Sequence, residues 1–581
     1  MKKNFFFFAS LLISLEVAAQ PCPAPTAGVD LQINNVRARI LNGGDLWWNP
    51  TSQTNYYTVP IGSGKNALFA GSVWFGGMDG NGQIYAAAQT YRQAGSNDFW
   101  PGPISKNPGT GALSISPTTC GNYDHLFHAL KADVQNFLNS GISTIDIQTW
   151  PGNGNVAAGE LPSLAPYFDA NNDGLYSAMN GDYPYFNFSN SYPTNPNTGQ
   201  KICEDYLFGD EVLWWVFNDI GNSKTETNSQ PIGIEVRAMA FAYNMPGSDL
   251  NNTTFYKYQI INRSSTTFHD FHAGFWVDPD LGNSADDYVG CDIGRSIGYV
   301  YNGDADDDGP VGYGLLPPAV GLDMLRGPLA DNNDFIDNDH DGVTDEPDEE
   351  CLMGAFMYYV NMNGVPTGNP ALTSDYYKYL SGIWIDSAPV TYGGDGRGNG
   401  GGATSIATTY MFPGTTNPAF TTPWTMGNAQ ISPDDMRFLV SSSPFTMQPG
   451  EVNYATYAAI WARTTSTSAM PSVAELQNAS DIVQAFFDNC FTVTGLNQLS
   501  EQPGIVIGPN PSSSTFTVNA SRLNAGSYSL KVFDAASRLV ETFQFNSVST
   551  VLTIGSKWSK GVYYFVLEGE NYRSSTKVVK Q

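Results

Sequence analysis

Basic residues are scarce: 27 Lys and Arg stand against 55 Asp and Glu, and only five histidines occur in 581 residues. A chain of net charge −28 offers no cationic face to a phosphate backbone or to anionic lipid, which excludes nucleic acid as a partner and leaves cations as the natural one. Beyond the first twenty residues no apolar run reaches the roughly 20 residues of a transmembrane helix. No Cys-x-x-Cys pair occurs, which removes zinc ribbons and thioredoxin-type redox sites. The His-Glu-x-x-His and Gly-x-Ser-x-Gly signatures of metalloproteases and serine hydrolases are also missing.

Glycine and proline are plentiful, at 59 and 36, and suit many short strands joined by turns. In residues 255–262, Tyr256, Tyr258 and Ile260 alternate with Lys257 and Gln259, a strand pattern. Residues 213–217 (LWWVF) are apolar throughout, as in a strand covered on both faces, and 452–461 reads as another strand. Two segments carry helical spacing. Residues 124–138 place Leu126, Leu130, Val134 and Leu138 four apart with Asp124 as a cap; 472–488 align Leu476, Ala479, Val483 and Phe486, with Ser472 and Glu475 as a capping box. The expected fold is mainly β: a large sandwich-type region over residues 20–493 with a few covering helices and calcium-loop insertions, then a small immunoglobulin-like sandwich.

The amino terminus reads as a signal peptide over residues 1–19: Lys2 and Lys3, an apolar run from Phe5 to Leu15, and small residues at 18–19. Cys22 lies close to this cleavage point, but Gln20-Pro21 is not the small-residue context of a lipidated cysteine, so soluble export is favoured over a lipid anchor. The six cysteines permit disulfides in an exported chain and leave fifteen pairings open. A glycine-rich stretch at 392–402 lacks the Gly-Lys-Ser/Thr of a phosphate loop and reads as a surface loop.

After Cys490 the composition changes. Residues 494–502 read as a linker, and 503–581 carry eight Lys/Arg against four Asp/Glu, a reversal of sign that marks a separate domain. Within it, PNP (509–511), YSLKVFD (528–534), RLV (538–540), KGVY (560–563) and KVVK (577–580) resemble, in order, the type A sorting domain of the Bacteroidetes type IX secretion system. Ser537 and Ser513-Ser514 stand where that family has turn glycines. The resemblance implies export across both membranes, contact with the secretion machinery through residues 503–581, and a cell-surface or extracellular destination.

The acidic residues concentrate in one segment. Residues 273–351 hold twenty Asp/Glu, two Arg and no Lys. Within it DNDHDGVTDEPD (337–348) places Asp337, Asp339, Asp341, Val343 (through its carbonyl), Asp345 and Asp348 at positions 1, 3, 5, 7, 9 and 12 of a calcium loop, with Gly342 at the sharp turn. The last ligand is Asp where the standard loop has Glu, and with no flanking helices evident the spacing resembles thrombospondin type 3 and dockerin-like loops. A second head, Asp169, Asn171 and Asp173 followed by Gly174, adds Ser177 at position 9 with Asp182 further on; a third is Asp304, Asp306 and Asp308, near Asp278, Asp280, Asp286 and Asp287. Carboxylates this close in a folded segment call for a hard cation, because like charges oppose compaction. Structural Ca2+ is therefore expected.

No catalytic set stands out. His125 and His128 would share a helix face, His269 and His272 would oppose each other on a strand, and His340 lies in the calcium loop. Acid pairs such as Asp210-Glu211 suit a glycosidase but are expected by chance among 55 acids. Two classes of function follow: a calcium-stabilised structural or adhesive surface protein with a glycan or protein ligand, or a secreted hydrolase of polysaccharide or protein in which calcium only stabilises the scaffold.

Overall fold

The computed structural model describes residues 21–580 except 93–94, 190, 195–200, 399–402, 465–470, 493–505, 509–511, 513, 520–525, 535–537, 547–550 and 570–571. The signal segment, the linker and part of the glycine-rich stretch lie outside these residues. The chain divides into two compact units, Met1–Phe491 and Thr492–Gln581. It is mainly β, as the alternation and turn content imply.

The first unit is built on two large antiparallel sheets, one of eleven strands and one of nine. The central strands of the second sheet, Glu211–Asn218, Ile234–Ala242, Thr253–Asn262 and Val452–Ala462, pair in that order. Successive side chains of a strand point to opposite faces. Ile234, Val236, Ala238 and Ala240 therefore enter a core shared with the first sheet, while Met239 and Phe241 enter a second core on the other face. Both faces are covered, which is why 213–217 is apolar without interruption. The shared core is aromatic: Trp47 stacks on Phe275 at 5.5 Å and donates its indole N–H to the Tyr256 hydroxyl at 2.8 Å, joining the two sheets. Such side chains each bury on the order of 150–250 Å², so this layer dominates the unit's stability.

The second core lies under residues 117–208 and the helix Pro471–Asp488, whose Leu476, Ala479, Val483 and Phe486 are all buried. That helix matches the periodicity of its sequence, but Ser472 is no cap: its hydroxyl donates to the Pro317 carbonyl at 2.6 Å. The helix expected over 124–138 starts later. Residues Phe127–Leu130 form an edge strand on Glu211–Trp214, and only Lys131–Ser140 is helical. Pairing with an open sheet edge satisfies backbone groups that the first helical turn would leave free. Asp124 instead accepts the amides of Thr26 and Ala27, tying down the amino-terminal segment.

Two disulfides close the unit, Cys22–Cys120 and Cys203–Cys490, while Cys291 and Cys351 are buried free thiols. The Cys22 sulfur is thereby bonded to Cys120. The second unit holds a three-stranded sheet (Val506–Gly508, Phe516–Asn519, Val551–Ile554) and a four-stranded one. Phe516, Val518, Leu530, Val532, Phe565 and Leu567 fill its small core. Tyr528, Leu530 and Val532 share one face of the strand Ser527–Asp534, as their alternation requires.

Candidate metal centre

Residues 169–182 and 337–349 fold into the same loop. In each, the glycine at position six donates its amide to the first aspartate: Gly342 to Asp337 at 3.0 Å, and Gly174 to Asp169 at 2.7 Å. The amide at position seven donates to the aspartate at five, Val343 to Asp341 and Leu175 to Asp173, both at 2.8 Å. Positions four and six are left-handed in both, with φ of 65° and 94° at His340 and Gly342 and of 57° and 78° at Asn172 and Gly174. A Cβ at either glycine would meet open space, so backbone conformation and not crowding selects the residue.

A further carboxylate closes each loop. Glu349 accepts the amides of positions two and nine, Asn338 at 2.5 Å and Asp345 at 3.0 Å. Asp182, fully buried, accepts the corresponding amides of Ala170 at 2.9 Å and Ser177 at 2.7 Å.

The loops differ in what the carboxylates face. In 337–349, single oxygens of Asp337, Asp339 and Asp341 lie within 4.8 Å of one another, and Asp339 makes a second such group with Glu346 and Glu349. Asp337 Oδ1 and Glu346 Oε2 are buried without a hydrogen-bond partner. Burial, and then the charges of Asp341, Glu346 and Asp337, push the Asp339 carboxyl up to about 6. Burial, and then Glu346, also raises Glu349. Five hard oxygen donors in one loop, two of them orphaned, suit a calcium ion, which takes six to eight oxygens. In 169–182, Asn171 donates its side-chain amide to Asp173 at 2.8 Å, and this bond followed by the Leu175 amide lowers the Asp173 carboxyl below its usual value.

The remaining expected ligands have other surroundings. Asp345 accepts the Phe335 amide at 3.2 Å, Asp348 and Val343 are exposed, and Ser177 contributes its amide to Asp182. The third head does not close on itself. Asp306 donates its amide to Asp304, Asp308 donates to Asp286 at 3.2 Å, and Asp307 is buried, accepting the amides of Asn283 and Tyr313. Asp278, Asp280 and Asp435 also gather, but around an arginine: Arg437 lies 3.2 Å from Asp278 and 2.5 Å from Asp435. Glu346 and Glu349 escape a twelve-residue template because they stand one residue beyond positions nine and twelve.

The histidines do not form a ligand pair. His128 lies on the edge strand, between Asp146 at 2.9 Å and Glu211 at 3.2 Å, while the His125 ring packs edge-on against Phe127. Those partners raise His128, the Glu211 hydrogen bond most. His272 is buried and His269 exposed, but a bulge between them pairs His269 with Met78 and His272 with Gly76, two residues apart on the partner strand, so the extra residue cancels the opposition that their spacing implies. His340 meets the Tyr410 hydroxyl at 3.3 Å. Asp210 and Glu211 are both engaged structurally, accepting the amides of Asn244 and Gln32.

Residues 506–581 match the secretion system C-terminal sorting domain family. The chain therefore ends in a type IX sorting tail, which directs secretion across the outer membrane. No curated protein matches the chain. Among solved structures, it is similar to a polysaccharide lyase at 9% identity and TM-score 0.17, covering 59% of this chain and 33% of that one. A second similarity is to the dimeric latent PorU from Porphyromonas gingivalis at 8% identity and TM-score 0.11, covering 64% and 31%. The chain thus spans about a third of the length of each, and neither likeness bears on its chemistry. No helix among the described residues is long and apolar enough to cross a membrane.

Proposed function

We propose that the protein is a calcium-stabilised structural or adhesive module, exported through its sorting tail and displayed at the cell surface or released. The observation that carries this reading is the convergence of Asp337, Asp339, Asp341, Glu346 and Glu349, two of whose buried oxygens have no partner. A cation there would be held by those carboxylates, with the Val343 carbonyl as a further oxygen. It would offset repulsion that otherwise opposes closure of the loop. An ion bound only by the folded state stabilises it by about 2.7 kcal/mol when free ion is a hundredfold above its dissociation constant. Extracellular modules bind calcium at ~0.1–1 mM, so the site would fill outside the cell and stay largely empty at cytosolic concentrations.

Thermal melting of the full chain tests the metal. Chelator lowers the melting temperature and added calcium restores it; identical melting at millimolar calcium and in chelator, at low salt, returns the acidic segment to a solvated surface. Fractionation tests the route. Deleting residues 503–581 leaves the main region in the periplasm of the native host, and normal surface display of the truncated chain removes the assignment.

A further inference from the structure

The outer face of the nine-stranded sheet is apolar and covered almost everywhere except at one cleft of about 480 Å³. There the strand register builds two rows. Arg237 pairs with Gln259 and Gln259 with Tyr454, so these three stand side by side across adjacent strands. The next row is Trp214, Met239 and Lys257, again in cross-strand register. The covering segment adds Tyr167, Tyr185, Glu204 and Asp205 to the lining.

In the polar row Arg237 is paired with Glu235 and Gln259 donates to the Tyr454 hydroxyl at 2.9 Å, so the charge that packing accounts for least is in the next row. Burying a charge costs several kcal/mol unless it is paired, and a sealed cover would be cheaper with aliphatic residues. Lys257 is the clearest case. Its ammonium donates to the Glu204 carbonyl, and burial pushes it down to about 8. The Asp205 carboxylate is exposed at the rim with no hydrogen bond from any described residue.

We propose that this cleft binds a neutral oligosaccharide. Its walls combine aromatic rings (Tyr167, Tyr185, Tyr454) with donors and acceptors (Lys257, Gln259, Asp205). A sugar ring has the same two-sided character: an apolar C–H face that lies on aromatic rings, and hydroxyls that both donate and accept. Arg237 is already paired with Glu235 at 2.9 Å and Glu204 with Arg326, which leaves Lys257 and Asp205, one charge of each sign, to meet a guest and favours a neutral polar one. The volume falls in the range of small-ligand sites, roughly 300–1,000 Å³. The assignment gives the adhesive reading its ligand class and rests on that reading for its biological meaning, but no cleft residue belongs to the calcium loop.

The test is binding of the full chain to an array of neutral hexose and pentose oligosaccharides beside acidic ones, followed by calorimetry on the best neutral member. Asp205→Asn, at the exposed rim, weakens binding roughly tenfold with unchanged melting, and Tyr167→Ala weakens it similarly while also lowering the melting temperature, because its ring packs on Tyr176. The measurements run in calcium and in chelator. Binding that persists while calcium fails to shift melting sinks the metal and spares the cleft. Three results overturn the cleft: no neutral member bound below about 1 mM, preference for acidic members, or binding indifferent to both substitutions.

Discussion

The loops at 169–182 and 337–349 share a backbone and differ in charge. Both use the position-six amide on the first aspartate, the position-seven amide on the third, and a distant carboxylate clamped by the amides of positions two and nine. In 169–182 the Asn171 amide supplies a donor where 337–349 has the carboxylate of Asp339, and the loop satisfies itself. In 337–349 acids face one another and two oxygens go without a partner. The Asp-x-Asp/Asn-x-Asp-Gly head thus specifies a turn, and on the proposed reading the number of carboxylates it brings together sets its demand for an ion. Amides alone complete the first loop.

The largest expected effect falls on the loop whose side-chain donors and acceptors already pair with one another. Asp182→Ala removes the buried acceptor of two amides and costs about 3 kcal/mol, the same with and without calcium, measured as the urea midpoint. A calcium-dependent loss there would erase the distinction between the loops. Next is the double variant Asp339→Ala, Asp341→Ala. It forfeits the calcium-dependent stabilisation, about 2.7 kcal/mol at a hundredfold excess of ion, and changes melting little in chelator. An equal loss in both conditions means these residues act through the fold alone.

A smaller change attempts to convert one loop into the other. Asn171→Asp replaces a 2.8 Å hydrogen bond by a repulsion. It should lower stability by up to about 1 kcal/mol in chelator and gain a calcium response that the parent loop lacks. Without that response, carboxylate number is not what separates them.

The smallest effect concerns protons. The helix Ile145–Gln148, which accepts the Tyr176 hydroxyl of the first loop on Ile147, is held to the edge strand by His128 through Asp146. Because the folded protein raises the His128 value above 6.5, its contribution is full below pH 6.5 and is lost as pH rises through the folded value. His128→Gln should therefore narrow its deficit relative to the parent between pH 6 and 8. A constant deficit across that range shows that the imidazole serves only as a neutral hydrogen-bonding group.

What could be read from the sequence follows from how local each feature is. The heads at 169 and 337 stand out because their oxygens lie within a few residues of one another. Glu349 does not: Asp345 and Asp348 take left-handed φ of 57° and 64°, and the residues that join the cluster are those following them. A template of fixed spacing names Asp345 and Asp348, whereas the carboxylates that gather beside Asp339 are Glu346 and Glu349. Leu126 and Leu130 fit a helix as well as they fit their actual surroundings, and the strand on Glu211–Trp214 decided between them. The cleft was out of reach, since Trp214, Lys257 and Tyr454 meet only through the register of strands some 240 residues apart. The tail was fully legible, being a short ordered series of motifs.

The two disulfides set how far the first unit can be stretched. Cys22–Cys120 and Cys203–Cys490 each close a covalent ring, so tension entering near Phe491 passes from Cys490 straight to Cys203 and bypasses most of the nine-stranded sheet. Only the stretch between Cys120 and Cys203 remains in series, roughly 80 residues that extend at most about 280 Å. Tension applied between Cys22 and Cys490 would be borne by a line of fixed maximum length on which the loop at 169–182 lies, whereas a ligand held by the strand residues of the cleft pulls inside the larger ring.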